Sequence, residues 1–406
     1  MCGWKGTVAG KFGSLYGLAG EPGLKRTWRG WAWVFAVWIA ATAVVSTHGP
    51  VAAAEIAHYE PLAPPPLSAD AVYVVDVSSN TELFSENADE PLPPASLTKV
   101  AAALVILEQA DFNDVVTIEQ DDLVDLEQSQ VGLVAGDRLT VADLFVGMLV
   151  PSGNDASLAL ARYLGQKSLG TNTASAEAIA WFVGQMNETA ARHGATNSHF
   201  ANPTGIDADG HVMSARDVAQ LTKVALSYPM FVETVGKTQA QLRSELRAEG
   251  YTVYSTNELL GEGLVTGVKT GTTDKAGGCL VTSFSVDGNE IVSVVLGSDL
   301  TQTADGEQDN SARFADTREL ISAVNDDFVW IDPEKDAATA GLPVELSVWN
   351  VALESEALQP VPVADLSSIR YRLVLGSPAA PDAPAGDVLF LIGDKLLSER
   401  TAVQVG

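Results

Sequence analysis

The chain predicts an α+β fold: a sheet fed from both ends of the sequence, a helical block inserted between its two halves, and a small all-β module after it. Three observations carry that expectation. Short apolar runs of strand character stand at residues 71–84 and again at 265–298, and the stretch between them carries apolar residues at helical spacing. From about Ile331 the composition shifts to short alternating runs broken by Pro360, Pro362, Pro378, Pro381 and Pro384. With 406 residues, 46% of them hydrophobic, the chain can bury a large core and accommodate two or three domains. The expected division is 1–54, 55–330 and 331–406.

The first segment stands apart. Lys25, Arg26 and Arg29 precede the 15-residue apolar run WAWVFAVWIAATAVV, and small residues follow from Val51 to Ala54. That order describes an export signal, with an uncleaved N-terminal anchor as its alternative. The run is short for a membrane span. The expected location is therefore the periplasm or the outer face of the cytoplasmic membrane, with any membrane association made through this segment.

After the proline-rich EPLAPPPLSAD, the run AVYVVDV and the shorter TELF read as a hairpin. PASLTKVAAALVILEQ reads as an enclosed helix, because every side chain from Val100 to Leu107 is apolar. A helix near Thr140 to Leu149 stops at Pro151, and the next starts at Asn154 or Asp155. Ala174 to His193 is amphipathic and closed by Gly194, while Ser214 and Asp217 make a weak capping box for the helix after them. LVTGVKTG, CLVTSFSV and EIVSVVLGS are strands, the last two joined at Asp287-Gly288, and SARFADTRELISAV is a closing helix. In the last segment VELSVWNV, IRYRLVL and DVLFLI read as strands.

Charge narrows the partners. The chain holds 24 Lys+Arg against 52 Asp+Glu, a formal charge of −28. Loss of residues 1–54 removes five basic residues and one acidic one, which leaves about −32. Such a surface repels phosphate backbones, so nucleic acid is not an expected partner. Only Cys2 and Cys279 occur, and Cys279 in GGCLVTSFSV reads as a small buried hydrophobe. His193, His199 and His211 form no recognised ligand spacing, and Asp207-Ala208-Asp209-Gly210 is a fragment of a calcium loop without its distal glutamate, so neither a metal nor a cofactor is expected.

Three short motifs bear chemistry. Ser96 and Lys99 are three apart on the enclosed helix and share a face, which brings an amine to a hydroxyl at the helix tip. A serine hydroxyl becomes a nucleophile only when a base takes its proton, and an ammonium cannot serve. Bringing a lysine from its ordinary pKa to neutrality at pH 7 costs roughly 4 to 5 kcal/mol, which burial and a second nearby cation would supply. Taken alone the spacing is weak, since a capping serine followed by a snorkelling lysine fits it as well. Ser152-Gly153-Asn154 lies in a turn between two expected helices and would present a hydroxyl and an amide to a cleft, although helix capping by Asn154 or Asp155 accounts for it too. Lys269-Thr270-Gly271 closes a strand, where a cation and a hydroxyl would hold a carboxylate and the glycine would let a ligand approach the backbone. Lys269 is also the expected second cation.

In this order the three motifs resemble the set of penicillin-recognising serine enzymes. The longer stretches PASLTKV, LTVADLFVGMLVPSGNDASLALA, MNETAARHGATNSHFANPTGIDADGHVMSARDVAQL, GVKTGTTDKAGGCLV and RFADTRELI resemble the D-alanyl-D-alanine carboxypeptidases, the low-molecular-mass penicillin-binding proteins of peptidase family S11. The resemblance covers roughly residues 65–325, and the segment after 331 looks like the family's C-terminal domain. It implies a β-lactamase/transpeptidase-like catalytic domain, an antiparallel sheet flanked by helices with a helical subdomain. It also implies removal of the terminal D-alanine from peptidoglycan stem pentapeptides through an acyl-enzyme on Ser96, with β-lactams as inhibitors.

In that scheme Lys99 takes the proton of Ser96, Ser152 helps pass a proton to the leaving D-alanine, and Asn154 positions substrate and lysine. Lys269 and Thr270 bind the terminal carboxylate beside Gly271, and the N–H groups of Ser96 and Thr272 form the oxyanion hole. Thr272 is a departure, since several members carry histidine there. The sequence shows no amphipathic C-terminal helix before Gly406, which is a second departure. The alternatives are a D,D-endopeptidase of the same family, a class A-like β-lactamase, and a non-catalytic cell-wall binding protein. The β-lactamase would need a separate glutamate, and Glu188 falls within an expected helix.

Overall fold

Two strands from the start of the domain and three from its far end share one antiparallel sheet. The structure is a computed structural model that describes residues 56–303, 308–336, 339, 341–376 and 383–405. The segment expected to be an export signal or anchor lies outside the described residues.

The sheet has the order β2-β1-β9-β8-β7, formed by β1 (Ala71–Asp76), β2 (Glu82–Glu86), β7 (Val265–Thr273), β8 (Gly277–Val286) and β9 (Asn289–Ser298). Asp287 and Gly288 both take positive φ, the pair of conformations a two-residue hairpin turn needs to join β8 and β9. Both faces of the sheet are covered, which is why β1 is buried along its whole length. Ala71, Tyr73 and Val75 face the helical block, while Val72 and Val74 face the closing helix with Phe314 and Leu320.

The helical block contains α1 (Thr98–Gln109), α2 (Val141–Leu149), α3 (Asn154–Leu169), α4 (Ser175–Arg192), α5 (Ala215–Leu226) and the short α6 (Pro229–Val235). Two small ladders edge it, β3 (Val115–Thr117) with β4 (Arg138–Thr140) and β5 (Gln239–Leu242) with β6 (Tyr251–Tyr254). Every residue of α1 from Thr98 to Ile106 is buried. Thr140 caps α2 and Ser214 caps α5, each accepting a bond from the N–H three residues on. After β9 come the two-residue strands β10 (Thr301–Gln302) and β11 (Gln308–Asp309) and the closing helix α7 (Ala312–Asp327).

The remaining elements are β12 (Phe328–Ile331), α8 (Leu342–Trp349), β13 (Val351–Leu353), β14 (Gln359–Pro362), β15 (Ile369–Leu375), β16 (Pro384–Ile392) and β17 (Lys395–Gln404). Four of these strands form a sheet of order β13-β17-β16-β15. The α+β class and the β-rich C-terminal part agree with expectation. One stretch does not: VELSVWNV, read as a strand, is helical from Leu342 to Trp349. Leu342 and Leu346 stand four apart, the helical spacing, and their burial on one face selects the helix, which leaves the alternate Val344 and Val348 exposed. β12 and β14 meet the β1–β2 hairpin through polar bonds from Trp330 Nε1 to Asp76 Oδ2 at 2.9 Å and from Gln359 Nε2 to Thr81 Oγ1 at 3.2 Å.

Candidate active site

The chain enters α1 through a short 3₁₀ turn, Ala95–Leu97, whose first residue has a positive φ of 47°. This bend puts Ser96 at the tip of a buried helix, and two neighbours hold it. Thr98 donates from Oγ1 to Ala95 O at 2.8 Å. His211 Nε2 lies 2.7 Å from the same hydroxyl, while Nδ1 accepts from Ala201 N at 3.0 Å. The proton must then sit on Nε2, so His211 is a neutral donor to Thr98. Burial pushes its pKa down to about 4, with a smaller lowering from His199.

Lys99 is completely buried, and its Nζ stands 2.9 Å from Ser96 Oγ, 2.7 Å from Asn154 Oδ1 and 2.6 Å from the Thr204 carbonyl. No carboxylate pairs with it among the described residues. Burial lowers its pKa to about 7, against a partial opposing pull from Asp155. Lys269 is the nearby second lysine, and burial, Lys99 and Arg313 together hold it well below the ordinary lysine value. Burial is the largest cause of the lowered pKa of Lys99.

Ser152 lies in the turn between α2 and α3 with φ of 64°, and its buried hydroxyl has no partner among the described residues. Gly153 leaves no room for a side chain, because a β-carbon there would stand 2.6 Å from Gly147 O. Asn154 then opens α3 and points its amide at Lys99.

Lys269 and Thr270 lie within β7, the edge strand of the sheet, which continues to Thr273. Lys269 was expected near a strand end but lies mid-strand and is 1% exposed, because the strand runs on through Gly271-Thr272-Thr273 before turning. Its Nζ donates to Thr270 O at 2.9 Å, and the Thr270 hydroxyl meets that of Thr256. At Gly271 a β-carbon would lie 2.9 Å from Ser96 N and 3.1 Å from Pro94 O, so this strand runs directly past the serine.

Three participants carried no signal strong enough to be singled out in the sequence. The Thr204 carbonyl is one. It is held in place by Asn202, whose Oδ1 accepts from Thr204 N and Gly205 N, and by Ser157, which donates to Pro203 O at 2.8 Å. The turn residues of NPTG were the available cue. Arg313 of α7 is the second: its Nη1 donates to Gly271 O at 2.9 Å and to Thr272 Oγ1 at 2.6 Å, while its buried Nε has no partner among the described residues. Burial lowers its pKa to about 10, which leaves it cationic at pH 7. Gln128 is the third, while His211, weighed in the sequence only as a metal ligand, is buried against Thr98. Of the other expected features, Cys279 is buried opposite Gly271, Glu188 is exposed on α4, and His193 pairs with Glu108.

The arrangement sets a serine hydroxyl at a helix tip beside a buried amine of lowered pKa, with a second buried lysine on the strand that passes it. Comparison with known proteins gives the family: the D-alanyl-D-alanine carboxypeptidase model of peptidase family S11 matches residues 59–300. The chain belongs to this family. The D-alanyl-D-alanine carboxypeptidase DacC of Escherichia coli is 29% identical over 369 residues, 84% of this chain and 84% of the relative. DacF of Bacillus subtilis is 30% identical over 234 residues, which span 57% of this chain and 57% of that relative's length. Among solved structures, the Streptomyces K15 DD-transpeptidase superimposes with a TM-score of 0.57 at 28% identity, covering 64% of this chain and 98% of its own.

Proposed function

We propose that this member of the D-alanyl-D-alanine carboxypeptidase family removes the terminal D-alanine of peptidoglycan stem pentapeptides through an acyl-enzyme on Ser96. The observation that carries the reading is the buried Lys99 Nζ, 2.9 Å from Ser96 Oγ and with a pKa lowered to about 7. A neutral Nζ has two N–H groups and one lone pair. Asn154 Oδ1 and Thr204 O accept the two N–H groups, so the lone pair is left for the hydroxyl of Ser96.

With its proton on Lys99, Ser96 attacks the carbonyl between the last two D-alanines. The N–H groups of Ser96 and Thr272 take the developing oxyanion, an interaction typically worth a few kcal/mol. Because Thr272 contributes a backbone group there, its departure from histidine leaves that donor in place. Ser152, whose hydroxyl has no partner among the described residues, helps pass the proton held on Lys99 to the leaving amine. The substrate carboxylate is held by Lys269 and Thr270, with the positive charge of Arg313 set beside them by its bonds to Gly271 O and Thr272 Oγ1. Asn154 positions substrate and base, and water releases the shortened peptide.

β-Lactams would acylate the same serine and act as inhibitors. We assign residues 55–330 to the catalytic domain, 331–406 to the C-terminal domain and 1–54 to export or anchoring. A peptidoglycan substrate places the enzyme outside the cytoplasm, in the periplasm or on the outer face of the membrane. Among the described residues no helix is long and apolar enough to cross a membrane.

The test is incubation with a pentapeptide ending in D-alanyl-D-alanine, following D-alanine by mass spectrometry, beside a Ser96→Ala control. Release that depends on Ser96 supports the reading. Acceptance of penicillin without release of D-alanine turns it toward endopeptidase activity.

A further inference from the structure

The base-facing orientation of Asn154 is fixed from outside the three motifs. Its Oδ1 accepts from Lys99 at 2.7 Å, while its Nδ2 donates to Gln128 Oε1 at 3.0 Å. The backbone of the same residue donates to Ser129 O at 2.9 Å. The loop that brings Gln128 there is bound tightly to the start of α3. Asp155, 1% exposed, accepts from Val131 N at 3.0 Å, Gly132 N at 2.9 Å and Leu133 N at 3.0 Å. Gln128 is thus delivered to the amide by a segment held on the neighbouring residue.

An amide has two ends of opposite character, and a half-turn exchanges acceptor for donor. With Oδ1 toward Lys99, the amide takes an N–H of the neutral amine. With Nδ2 there, its N–H would compete with Ser96 for the only lone pair. We propose that Gln128 is a positioning residue for the acyl transfer: its carbonyl oxygen holds the Asn154 amide in the orientation that leaves the Lys99 lone pair to Ser96. This rests on the acyl-enzyme reading given above.

Gln128→Leu removes the acceptor, and Gln128→Glu keeps one. The measured quantity is the pH profile of Ser96 acylation by a fluorescent penicillin, with thermal melting of each variant alongside. Gln128→Leu lowers the plateau rate about tenfold and moves the acid limb to lower pH, since an acceptor of the ammonium is lost. Gln128→Glu keeps the plateau within about twofold of wild type and moves that limb to higher pH, as its added negative charge requires. An unchanged plateau in Gln128→Leu overturns the proposal. An equal fall in both variants, with matching losses in melting temperature and no displaced limb, also overturns it and leaves Gln128 a structural loop residue. Failure of the wild type to acylate at all overturns the acyl-enzyme reading itself, a separate observation from any difference among variants.

Discussion

Gly271 and Ser96 stand so close that a β-carbon on the glycine would lie 2.9 Å from the serine backbone nitrogen. The strand carrying the third motif and the helix tip carrying the first are thereby in backbone contact. Gly271→Ala must push β7 away from Ser96, because the obstructing atoms are main-chain atoms of Ser96 and Pro94 and the β-carbon of Ala95, none of which can yield as a flexible side chain would. The expected outcome is loss of acylation by about a hundredfold or more with the cooperative melting transition retained. Stopped labelling with fluorescent penicillin, together with a melting curve, checks both halves.

Arg313 gives a prediction about recognition. Removing its charge with Arg313→Gln weakens binding of a free carboxylate far more than it affects attack on the carbonyl. KM for a peptide ending in D-alanyl-D-alanine should rise by about ten- to a hundredfold. A substrate ending in the neutral D-alaninol should lose much less, and equal losses on the two would remove Arg313 from carboxylate binding.

Lys99 sets the pH dependence of acylation. Its folded-state pKa of about 7 makes it cationic below that pH and neutral above, so the rate should rise with pH through about 7 and then level. Lys99→Arg keeps the charge at every working pH and cannot accept a proton, so acylation should fall by about a thousandfold or more.

His211 links stability to pH. Its folded pKa of about 4 lies below the unfolded value of 6.5, so between those values the unfolded chain binds more protons. Its effect on stability is therefore absent above about 6.5 and grows as pH falls toward 4, to a loss of roughly 2 to 3 kcal/mol. His211→Phe should lower stability by about 1 to 3 kcal/mol at pH 7, because Thr98 and Ala201 lose a partner. The same variant should show a flatter fall than wild type between pH 6.5 and 4 in denaturant titrations.

Much of this site was legible because its chemistry sits on side chains at fixed local spacing. Ser96 and Lys99 had to share a helix face, and an apolar run from Val100 to Leu107 announced the burial that lowers the amine's pKa. What was not legible depends on chain returning from far away. Thr204 contributes a carbonyl, which no side chain advertises. Arg313 reaches Thr272 across 41 positions of sequence. The β5–β6 ladder went unread because QAQL and YTVY are short and surrounded by charge. In the C-terminal part, Val344, Leu346 and Val348 alternate as in a strand while Leu342 and Leu346 stand at helical spacing, and only packing of the latter pair decides between the two. The order of the sheet, with β9 beside β1, likewise follows from long-range pairing.

The central claim is a lysine without its proton beside the nucleophile, and direct titration of that side chain is the sharpest test. Lysine labelled with carbon-13 at Cε would be followed by NMR from pH 5 to 11, with Lys99→Arg assigning the resonance. A midpoint near 7 is the result expected here. A midpoint above about 10, the ordinary range for a solvated lysine, would contradict the account.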